Sequence, residues 1–432
     1  MDKIDKLISP KWLINQKNNA LLKDHSIAID GNIIKEVLPT SNALKKYQTH
    51  NKILLNEHLV IPGLINSHND SSLIWFGDKY NQEGKLNIKL FNSFKNNHLN
   101  QLYKDISSKI NIIEMIQNGI TTFSESGIFP ESVIEQAIKA NLRCNIGLEI
   151  QKQKTRWAGN ENESLDKALR VFDNHNGNPN IHFYFNLVSI NNISEKMIQK
   201  VSRIANELDI PFRMNINASE SEISKCIKNH KCRPLEYLEK LDILNNRFTA
   251  LNVLLLNGKD IKLLGKYRSN IVINKNSQLI SKNINIKELI MNKVNVTLST
   301  GSILDNSRPD MLKEMSITSM LQNLKGYLVN TKSIFDFATN NASKSIGLEK
   351  LIGNISKGYL ADLVSINIKD IIQRNSVIFN GIERKLKSEN IDNVWISGKQ
   401  IMKNKKLLTI TQEKIYDKFK IIKDRINKNE YR

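Results

Sequence analysis

Two residues with metal-binding side chains, His68 and Asp70, stand two positions apart after the mainly apolar stretch 60–65. Pro62 and Gly63 interrupt that stretch, so the pattern predicts a turn followed by a short strand that ends near the histidine. Alternate residues of a strand face the same side, which would let both side chains bind one metal ion. A His-x-Asp pair is also common in surface turns, so the spacing alone leaves both interpretations open.

The chain has eight histidines, and their positions limit which metal or acid–base sites it can form. Only His68 falls at the predicted end of a strand in the middle of the chain. The other seven histidines are His25, His50, His58, His98, His175, His182 and His230. His182 precedes a predicted strand and is interpreted as a core or rim residue. We therefore expect no histidine-rich site, and the sequence has neither a phosphate-binding glycine loop nor a Gly-x-Ser-x-Gly motif.

Cysteine usage and hydropathy indicate the setting of the protein. The cysteines Cys144, Cys226 and Cys232 have neither disulfide nor zinc-site spacing, which favours a reducing cytoplasm. No run approaches the roughly 18 apolar residues of a membrane span, so no membrane partner is expected. Residues 1–19 lack a long apolar stretch, and no signal peptide is expected there.

The net charge of +20 has two interpretations. One is a polyanionic partner such as nucleic acid, which a basic surface would attract. The other is compositional drift, because Lys, Asn and Ile are abundant along the whole chain. The lysines are not interleaved with aromatic residues as in proteins that bind single strands, so drift is favoured and no nucleic-acid partner is expected.

The ends and the middle of the chain have different patterns. Apolar alternation at 26–29 and 33–37 predicts a hairpin, and further short strands are predicted at 360–366 and 394–399. Helices and strands alternate over about 290 residues between these ends, a length that suits a closed barrel. The predicted middle elements are helices at 133–140 and 197–208 and strands at 143–150, 212–217, 248–256, 270–274 and 294–300.

This alternation predicts an α/β fold, a (β/α)8 TIM-type barrel with a small β-sandwich domain built from both chain ends. The expected domains are the N-terminal part of the sandwich (1–60), the barrel (61–349), the C-terminal part of the sandwich (350–410) and an amphipathic helix (411–432). Ile415, Phe419, Ile422 and Ile426 share one face of that helix. We expect this face to pack on the body of the protein.

Residues 60–68 also carry a family resemblance, because a Pro-Gly turn and a strand ending in histidine open the barrel of the amidohydrolase superfamily. The chain resembles the bacterial 5-methylthioadenosine/S-adenosylhomocysteine deaminases, relatives of the triazine and cytosine hydrolases. The supporting stretches keep their order along nearly the whole chain. They are 7–9, 24–31, 38–40, 119–123, 233–236 and 353–364, with Asn306 and Asp310 further matches.

The resemblance implies a divalent metal, zinc or iron, that ionises a bound water near neutral pH. In the deaminases, strand one carries two ligating histidines and strand five a ligating histidine and a proton-shuttling glutamate. Strand six ends in a histidine, and strand eight carries a metal-binding aspartate. The matching residues here are His68 and Asp70, Asn215 and Ala218, Asn252, and Gly301. Because a catalytic zinc site uses three protein ligands, the resemblance predicts the family fold with an impaired metal site at which only His68 and Asp70 remain.

Three functions are compatible with these observations. The first is a non-catalytic protein that binds a nucleoside-like ligand or a protein partner in the barrel mouth, with no cofactor. The second is an active C–N hydrolase with a reduced zinc or iron site at His68 and Asp70. The third is a polyanion-binding protein, which rests on the net charge alone. No catalytic residue is assigned, and a homo-oligomer is compatible with all three.

Overall fold

The computed structural model describes residues 1–428 apart from 16–19, 77–93, 95–96, 282–283, 302–307 and 375–378. Asn306, one of the residues that match the family, lies outside the described residues, as do residues 429–432 of the predicted last helix. The described chain forms an eight-stranded parallel barrel with surrounding helices and a second sheet built from both chain ends. The predicted α/β architecture is confirmed.

The strands fall into an N-terminal group, a barrel group and a C-terminal group. The first group is β1 (Asp2–Lys3), β2 (Lys6–Asn15), β3 (Ala20–Lys23), β4 (His25–Asp30), β5 (Ile33–Pro39), β6 (Tyr47–Gln48) and β7 (Lys52–Pro62). The barrel consists of β8 (Leu64–Asn69), β9 (Ile120–Glu125), β10 (Arg143–Ile150), β11 (Ile181–Leu187), β12 (Phe212–Asn215), β13 (Phe248–Leu251), β14 (Asn270–Ile273) and β15 (Asn295–Leu298). The last group is β16 (Leu363–Asn367), β17 (Ile391–Ile396), β18 (Lys399–Lys403) and β19 (Lys406–Leu407).

Most helices connect successive barrel strands. They are α1 (Thr40–Lys46), α2 (Gln101–Gln117), α3 (Pro130–Ala140), α4 (Glu161–His175), α5 (Glu195–Glu207), α6 (Glu220–His230), α7 (Pro234–Lys240), α8 (Gly258–Lys266), α9 (Lys275–Ile280), α10 (Ile286–Met291), α11 (Met311–Leu324), α12 (Thr331–Phe337), α13 (Asn340–Ser345), α14 (Lys369–Arg374) and α15 (Ile415–Lys428). Asparagine begins many of them: the Asn100 side chain, for example, accepts a hydrogen bond from the Tyr103 backbone N–H (3.0 Å). The asparagine-rich composition thus supplies helix N-caps.

Each barrel strand from β8 to β15 pairs in parallel with its neighbour in chain order. Asn66 of β8 joins the first strand to the last, because its amide accepts a hydrogen bond from the Thr300 N–H (3.0 Å) and donates one to the Thr300 hydroxyl (2.7 Å). The carboxyl ends of all eight strands therefore meet at one face, where TIM barrels carry their functional residues.

Four barrel strands end earlier than the sequence pattern predicts. β12 ends at Asn215 because Asn217 has a left-handed backbone with a φ of 55°. β13 ends at Leu251 because Asn252 has a φ of 50°. β14 ends at Ile273, one residue before the predicted end at 274, and β15 ends at Leu298, inside the predicted 294–300. Asparagine adopts the left-handed region more readily than most residues, since its short side chain bonds locally, and this ends the extended backbone.

Nine of the eleven strands of the chain ends form one sheet, and the other two, β1 and β6, pair with each other in parallel. Its path runs β19-β18-β17-β16-β7-β2-β4-β5, with β3 paired to β2. The N-terminal β7 lies between β2 and the C-terminal β16, so the first and last parts of the chain share one hydrogen-bonded unit. The sheet predicted from both chain ends is confirmed.

A buried ion pair connects this sheet to the barrel. Arg143, the first residue of β10, donates to the carboxylate of Asp362, and both side chains are almost completely buried. Arg143 also donates to the Ser397 hydroxyl (2.9 Å), and Asp362 accepts a bond from the Ser397 N–H (2.7 Å). The base of the barrel is thereby fastened to the turn before β18.

The C-terminal helix α15 packs on the barrel body, as its apolar face predicts. Phe419 lies 4.7 Å from the Trp75 ring, measured between centroids, and Ile415 and Ile426 are buried. Trp75 belongs to the helical turn Ser71–Phe76, which follows β8 directly. The helix therefore lies beside the end of the first barrel strand. No helix of the described residues is long and apolar enough to cross a membrane.

Candidate functional site

The positions singled out in the sequence all lie at the carboxyl ends of barrel strands. His68 is near the end of β8 and Asp70 follows it, while Gly301 comes after β15. Asn215 is the last residue of β12, and Asn252 follows β13. Ala218 comes shortly after β12. The structure brings these residues together in two contacting pairs and directs the others to different partners.

The first pair is His68 and Gly301. A Cβ atom built on Gly301 would lie 2.5 Å from His68 Cδ2 and 2.6 Å from the His68 backbone oxygen. Both distances are shorter than any van der Waals contact. The second is to a backbone atom, which cannot move aside by a change of rotamer. A side chain at position 301 would therefore require the two strand ends to move apart.

The second pair is Asn215 and Asn252. The Asn252 amide donates a hydrogen bond to Asn215 Oδ1 (2.8 Å), and Asn215 Nδ2 donates to the Val188 backbone oxygen (2.8 Å). These bonds join the ends of β11, β12 and β13 through neutral groups. An amide offers one weak oxygen ligand at most to zinc or iron, which prefer imidazole, thiolate and carboxylate.

Asp70 contacts a buried lysine. Its Oδ1 lies 3.5 Å from Lys104 Nζ and accepts a hydrogen bond from the Ser72 N–H (3.0 Å). The Lys104 ammonium is completely buried and also donates to Glu125 Oε1 (2.7 Å) and the Ser72 hydroxyl (3.2 Å). Oxygen atoms thus surround this ammonium as they would surround a hard cation.

Sequence reasoning missed both Lys104 and Glu125. A signal existed for Glu125, because it ends an apolar barrel strand just as His68 does. Lys104 carried a weaker signal, a lysine at a position of α2 that faces the barrel between buried apolar residues. The pairing of the two residues with Asp70 depends on tertiary contacts that no local pattern reports.

Ala218 occupies the position at which the resemblance implies a glutamate, and Glu222 follows one helical turn later in the chain. The Ala218 N–H donates to Glu222 Oε2 (2.8 Å), while the Glu222 N–H donates to the Ser219 hydroxyl (3.1 Å). Burial raises the pKa of Glu222, and backbone bonds from Ala218 and Asn217 lower it in part. Ser219 thus caps the start of α6, and the Glu222 carboxylate accepts a bond from the residue before that cap, so Glu222 serves the helix terminus.

A second buried cation, Arg213, lies inside the barrel. It belongs to β12, two residues before Asn215, and its Nη1 donates to the Ser67 backbone oxygen (2.7 Å). The guanidinium carbon lies 4.2 Å from the centroid of the Tyr184 ring. Arg213 thus reaches from the fifth barrel strand to the first. Sequence reasoning missed it, although the alternation of β12 places it on the same face as Asn215.

A cavity of about 220 Å³ opens beside Asp70 and Gly301. Its walls come from the ends of β8 and β15, from α2, from the segment before α11, and from α15. The lining residues are Asn69, Asp70, Leu73, Ile74, Ile110, Asn111, Glu114, Thr300, Gly301, Arg308, Pro309, Tyr416, Phe419 and Lys423. It combines an aromatic wall with carboxyl and amide groups, a lining that suits a small polar aromatic ligand.

Glu114 of α2 is the titrating group of this cavity. Its side chain is 9% exposed, and burial raises its pKa to about 7, while Arg308, 3.3 Å away, lowers it in part. Burial and the nearby Glu114 carboxylate also raise the pKa of Tyr416. The charge of the cavity therefore changes near neutral pH.

Glu114 gives the first testable prediction. The folded chain holds a proton on this carboxyl that the unfolded chain releases between pH 4.5 and about 7, so stability falls as pH rises through that window. Between pH 5 and 8 we expect the wild type to lose about 1–3 kcal/mol more unfolding free energy than Glu114→Gln. Urea denaturation at the two pH values measures the difference.

Arg308→Gln is the opposite control for that experiment. It removes the cation that lowers the Glu114 pKa, so the fall in stability with pH should become steeper than in the wild type. Parallel pH profiles for the wild type and Glu114→Gln would contradict the assignment of the titration to this carboxyl.

The residues at the barrel mouth do not fit a catalytic metal. Among the described residues, no three His, Cys, Asp or Glu side chains come together in a way that could hold an ion. His68 offers one imidazole, and the Asp70 carboxylate faces Lys104. Asn215 and Asn252 bond to each other. Position 301 has neither a side chain nor room for one.

Sequence comparisons agree with the resemblance. The profile of the amidohydrolase family matches residues 59–401. The 5-methylthioadenosine/S-adenosylhomocysteine deaminase of Teredinibacter turnerae is 24% identical over 424 residues, which cover 95% of each chain. The 5'-deoxyadenosine deaminase of Methanobrevibacter smithii is 27% identical over 429 residues, which cover 95% of this chain and 94% of that one.

Solved structures share the fold at lower identity. An adenosine deaminase from Xanthomonas campestris with bound zinc superposes with a TM-score of 0.93 over 99% of both chains, at 20% identity. A zinc-bound atrazine chlorohydrolase from Arthrobacter aurescens superposes with a TM-score of 0.83, at 14% identity, over 96% of this chain and 99% of that one. At these identities the likeness shows the fold alone.

Proposed function

The chain belongs to the amidohydrolase family, and we propose that it is a member without metal-dependent catalysis that binds a nucleoside-like small molecule at the barrel mouth. The packing of Gly301 against His68 is the main support. The resemblance requires at this position a carboxylate that binds metal and accepts a proton from water. Here a side chain would meet the His68 backbone at 2.6 Å, so the function of that carboxylate is lost together with its space.

The other positions support the same conclusion. General acid–base groups contribute about 10²–10⁴-fold to a reaction, and a metal hydroxide contributes further. Ala218 stands where the resemblance requires the proton shuttle, and its neighbour Glu222 bonds to the α6 terminus. Asp70 is paired with Lys104 rather than directed to a shared ion. None of the described residues at these positions therefore takes the role of the proton carrier.

The cavity beside the mouth supports a ligand. It is smaller than the roughly 300 Å³ of pockets that enclose drug-sized molecules, so a compact ligand fits it best. Phe419 and Tyr416 offer aromatic faces, and Glu114 and Asn111 offer polar groups. Relatives are named for action on 5-methylthioadenosine, S-adenosylhomocysteine and 5'-deoxyadenosine, which makes a nucleoside the natural probe.

A metal and activity measurement gives the second prediction. After incubation with zinc and desalting, the wild type is expected to retain well below one equivalent of zinc, iron or manganese, by elemental analysis. It should release no more ammonia from 5'-methylthioadenosine or S-adenosylhomocysteine than His68→Ala does. The Teredinibacter turnerae relative, processed in the same way, serves as the positive control.

The alternative is an active C–N hydrolase with a reduced site at His68 and Asp70. It predicts one tightly held metal per chain and ammonia release that His68→Ala abolishes, and that result would overturn the proposal.

Calorimetric titration with 5'-methylthioadenosine tests separately whether the chain binds a nucleoside. If the metal-free chain showed no heat of binding, a nucleoside-like ligand would be excluded. A protein partner would then remain as the proposed ligand of the barrel mouth.

A further inference from the structure

The guanidinium of Arg213 is a permanent positive charge enclosed by the barrel. The residue is completely buried, and its Nη1 donates to the Ser67 backbone oxygen at 2.7 Å. Its Nε and Nη2 have no hydrogen-bond partner in the described part of the chain. No carboxylate of the described residues forms an ion pair with it; burial lowers the pKa of the guanidinium, and Tyr184 raises it in part. Arg143, another fully buried arginine, is paired with Asp362.

Arg213 lies near the strand ends at which the resemblance places the metal. Ser67, which accepts the Arg213 bond, precedes His68 in β8. In β12, Arg213 and Asn215 are two residues apart on one face, which separates their Cα atoms by about 7 Å. The guanidinium therefore spans the barrel one layer below the level of His68 and Asn215.

We propose that Arg213 excludes divalent cations from the barrel mouth, so that this chain rejects a metal even when histidine ligands are restored. The inference deepens the proposed function, on which it rests, by naming a residue that acts against the metal. Taken at about 7 Å, the spacing of Arg213 and Asn215 along β12, and at an effective dielectric constant of about 20, repulsion between a guanidinium and a dication weakens binding by roughly a thousandfold. Substitutions that restore the histidine ligands would not remove this repulsion, so metal binding would stay weak.

The test restores ligands with and without the cation. Asn215→His/Asn252→His supplies two adjacent imidazoles at the strand ends, which with His68 would make up the three protein ligands of a catalytic zinc site. Arg213→Gln is added in a second variant, and Arg213→Lys in a third, which keeps the positive charge. Zinc affinity is measured by competition with a chromophoric chelator, after circular dichroism has confirmed that each variant is folded.

We expect the Arg213→Gln variant to bind zinc at least 100-fold more tightly than the double variant, as Coulomb repulsion at this distance implies. The Arg213→Lys variant should remain as weak as the double variant. Equal affinities for Gln and Lys at position 213 would overturn the inference, because loss of packing rather than of charge would then be responsible. Tight zinc binding by the double variant, or none by the Gln variant, would also overturn it.

These outcomes separate this inference from the proposed function. Stoichiometric metal with ammonia release in the wild type would end both. A metal-free, inactive wild type with equal zinc affinities among the variants would end only the role of Arg213. Arg203→Gln, which removes one positive charge from an exposed position of α5, is the matched control and should leave zinc affinity unchanged.

Discussion

Lys104→Met is expected to lower the free energy of unfolding by about 3–5 kcal/mol, the range for removing one partner of a buried ion pair. Lys104 is completely buried, and its ammonium contacts Glu125 Oε1 at 2.7 Å and Asp70 Oδ1 at 3.5 Å. Methionine keeps most of the length and apolar volume of lysine but leaves both carboxylates in a poorly solvated site. Urea denaturation followed by circular dichroism measures the loss.

Lys139→Met is the matched control, because it makes the same substitution in an exposed pair with Glu135 four residues earlier on α3. Pairs of this kind contribute only about 0.3–0.5 kcal/mol. Adding Glu125→Gln to Lys104→Met should recover part of the stability, since one uncompensated charge is removed. Equal unfolding free energies for Lys104→Met and Lys139→Met would contradict the prediction that the Lys104 ammonium stabilises the carboxylates of Asp70 and Glu125.

Arg143→Met is expected to cost a similar amount, about 3–5 kcal/mol, by leaving Asp362 buried without its cation. The loss should appear at the junction of the barrel with the nine-stranded sheet, because Arg143 also donates to the Ser397 hydroxyl (2.9 Å). Hydrogen exchange measured by mass spectrometry should therefore show earlier opening of β16 and β17 than of the barrel strands.

Arg247→Met provides the comparison for this variant. Arg247 forms an ion pair with Asp209, and both side chains are exposed, so its loss should cost less than about 1 kcal/mol. Uniform acceleration of exchange over both the sheet and the barrel in Arg143→Met would contradict a local anchoring role.

Much of the fold could be predicted because it depends on repeated local patterns. β10 has the bounds that its apolar run predicts, and α15 buries the face that carries Ile415 and Ile426. Predictions were wrong where one residue changed the backbone direction, as at Asn217 and Asn252 after β12 and β13. A left-handed asparagine looks like any other polar residue in a strand pattern, because its φ depends on the contacts around it.

The candidate site was only partly predictable. His68 could be placed at a strand end by pattern, and the replaced positions followed from the resemblance. Lys104 and Arg213 could not be assigned, because their partners Asp70 and Ser67 lie 34 and 146 residues away in the chain. Periodicity indicates which face of a helix or strand is buried, but it does not identify the residues that this face contacts.

The barrel, its companion sheet and the chemical types at the barrel mouth could be predicted from the amino acids alone. They depend on local periodicity and on residue identity, which are fully present in the order of the amino acids. The electrostatics of the mouth and its free space follow only from tertiary contacts. Arg213 donates to Ser67, the residue before His68, Lys104 pairs with Asp70, and Gly301 leaves no room for a carboxylate. Charge interaction and steric exclusion act through distance in space, and folding alone sets those distances.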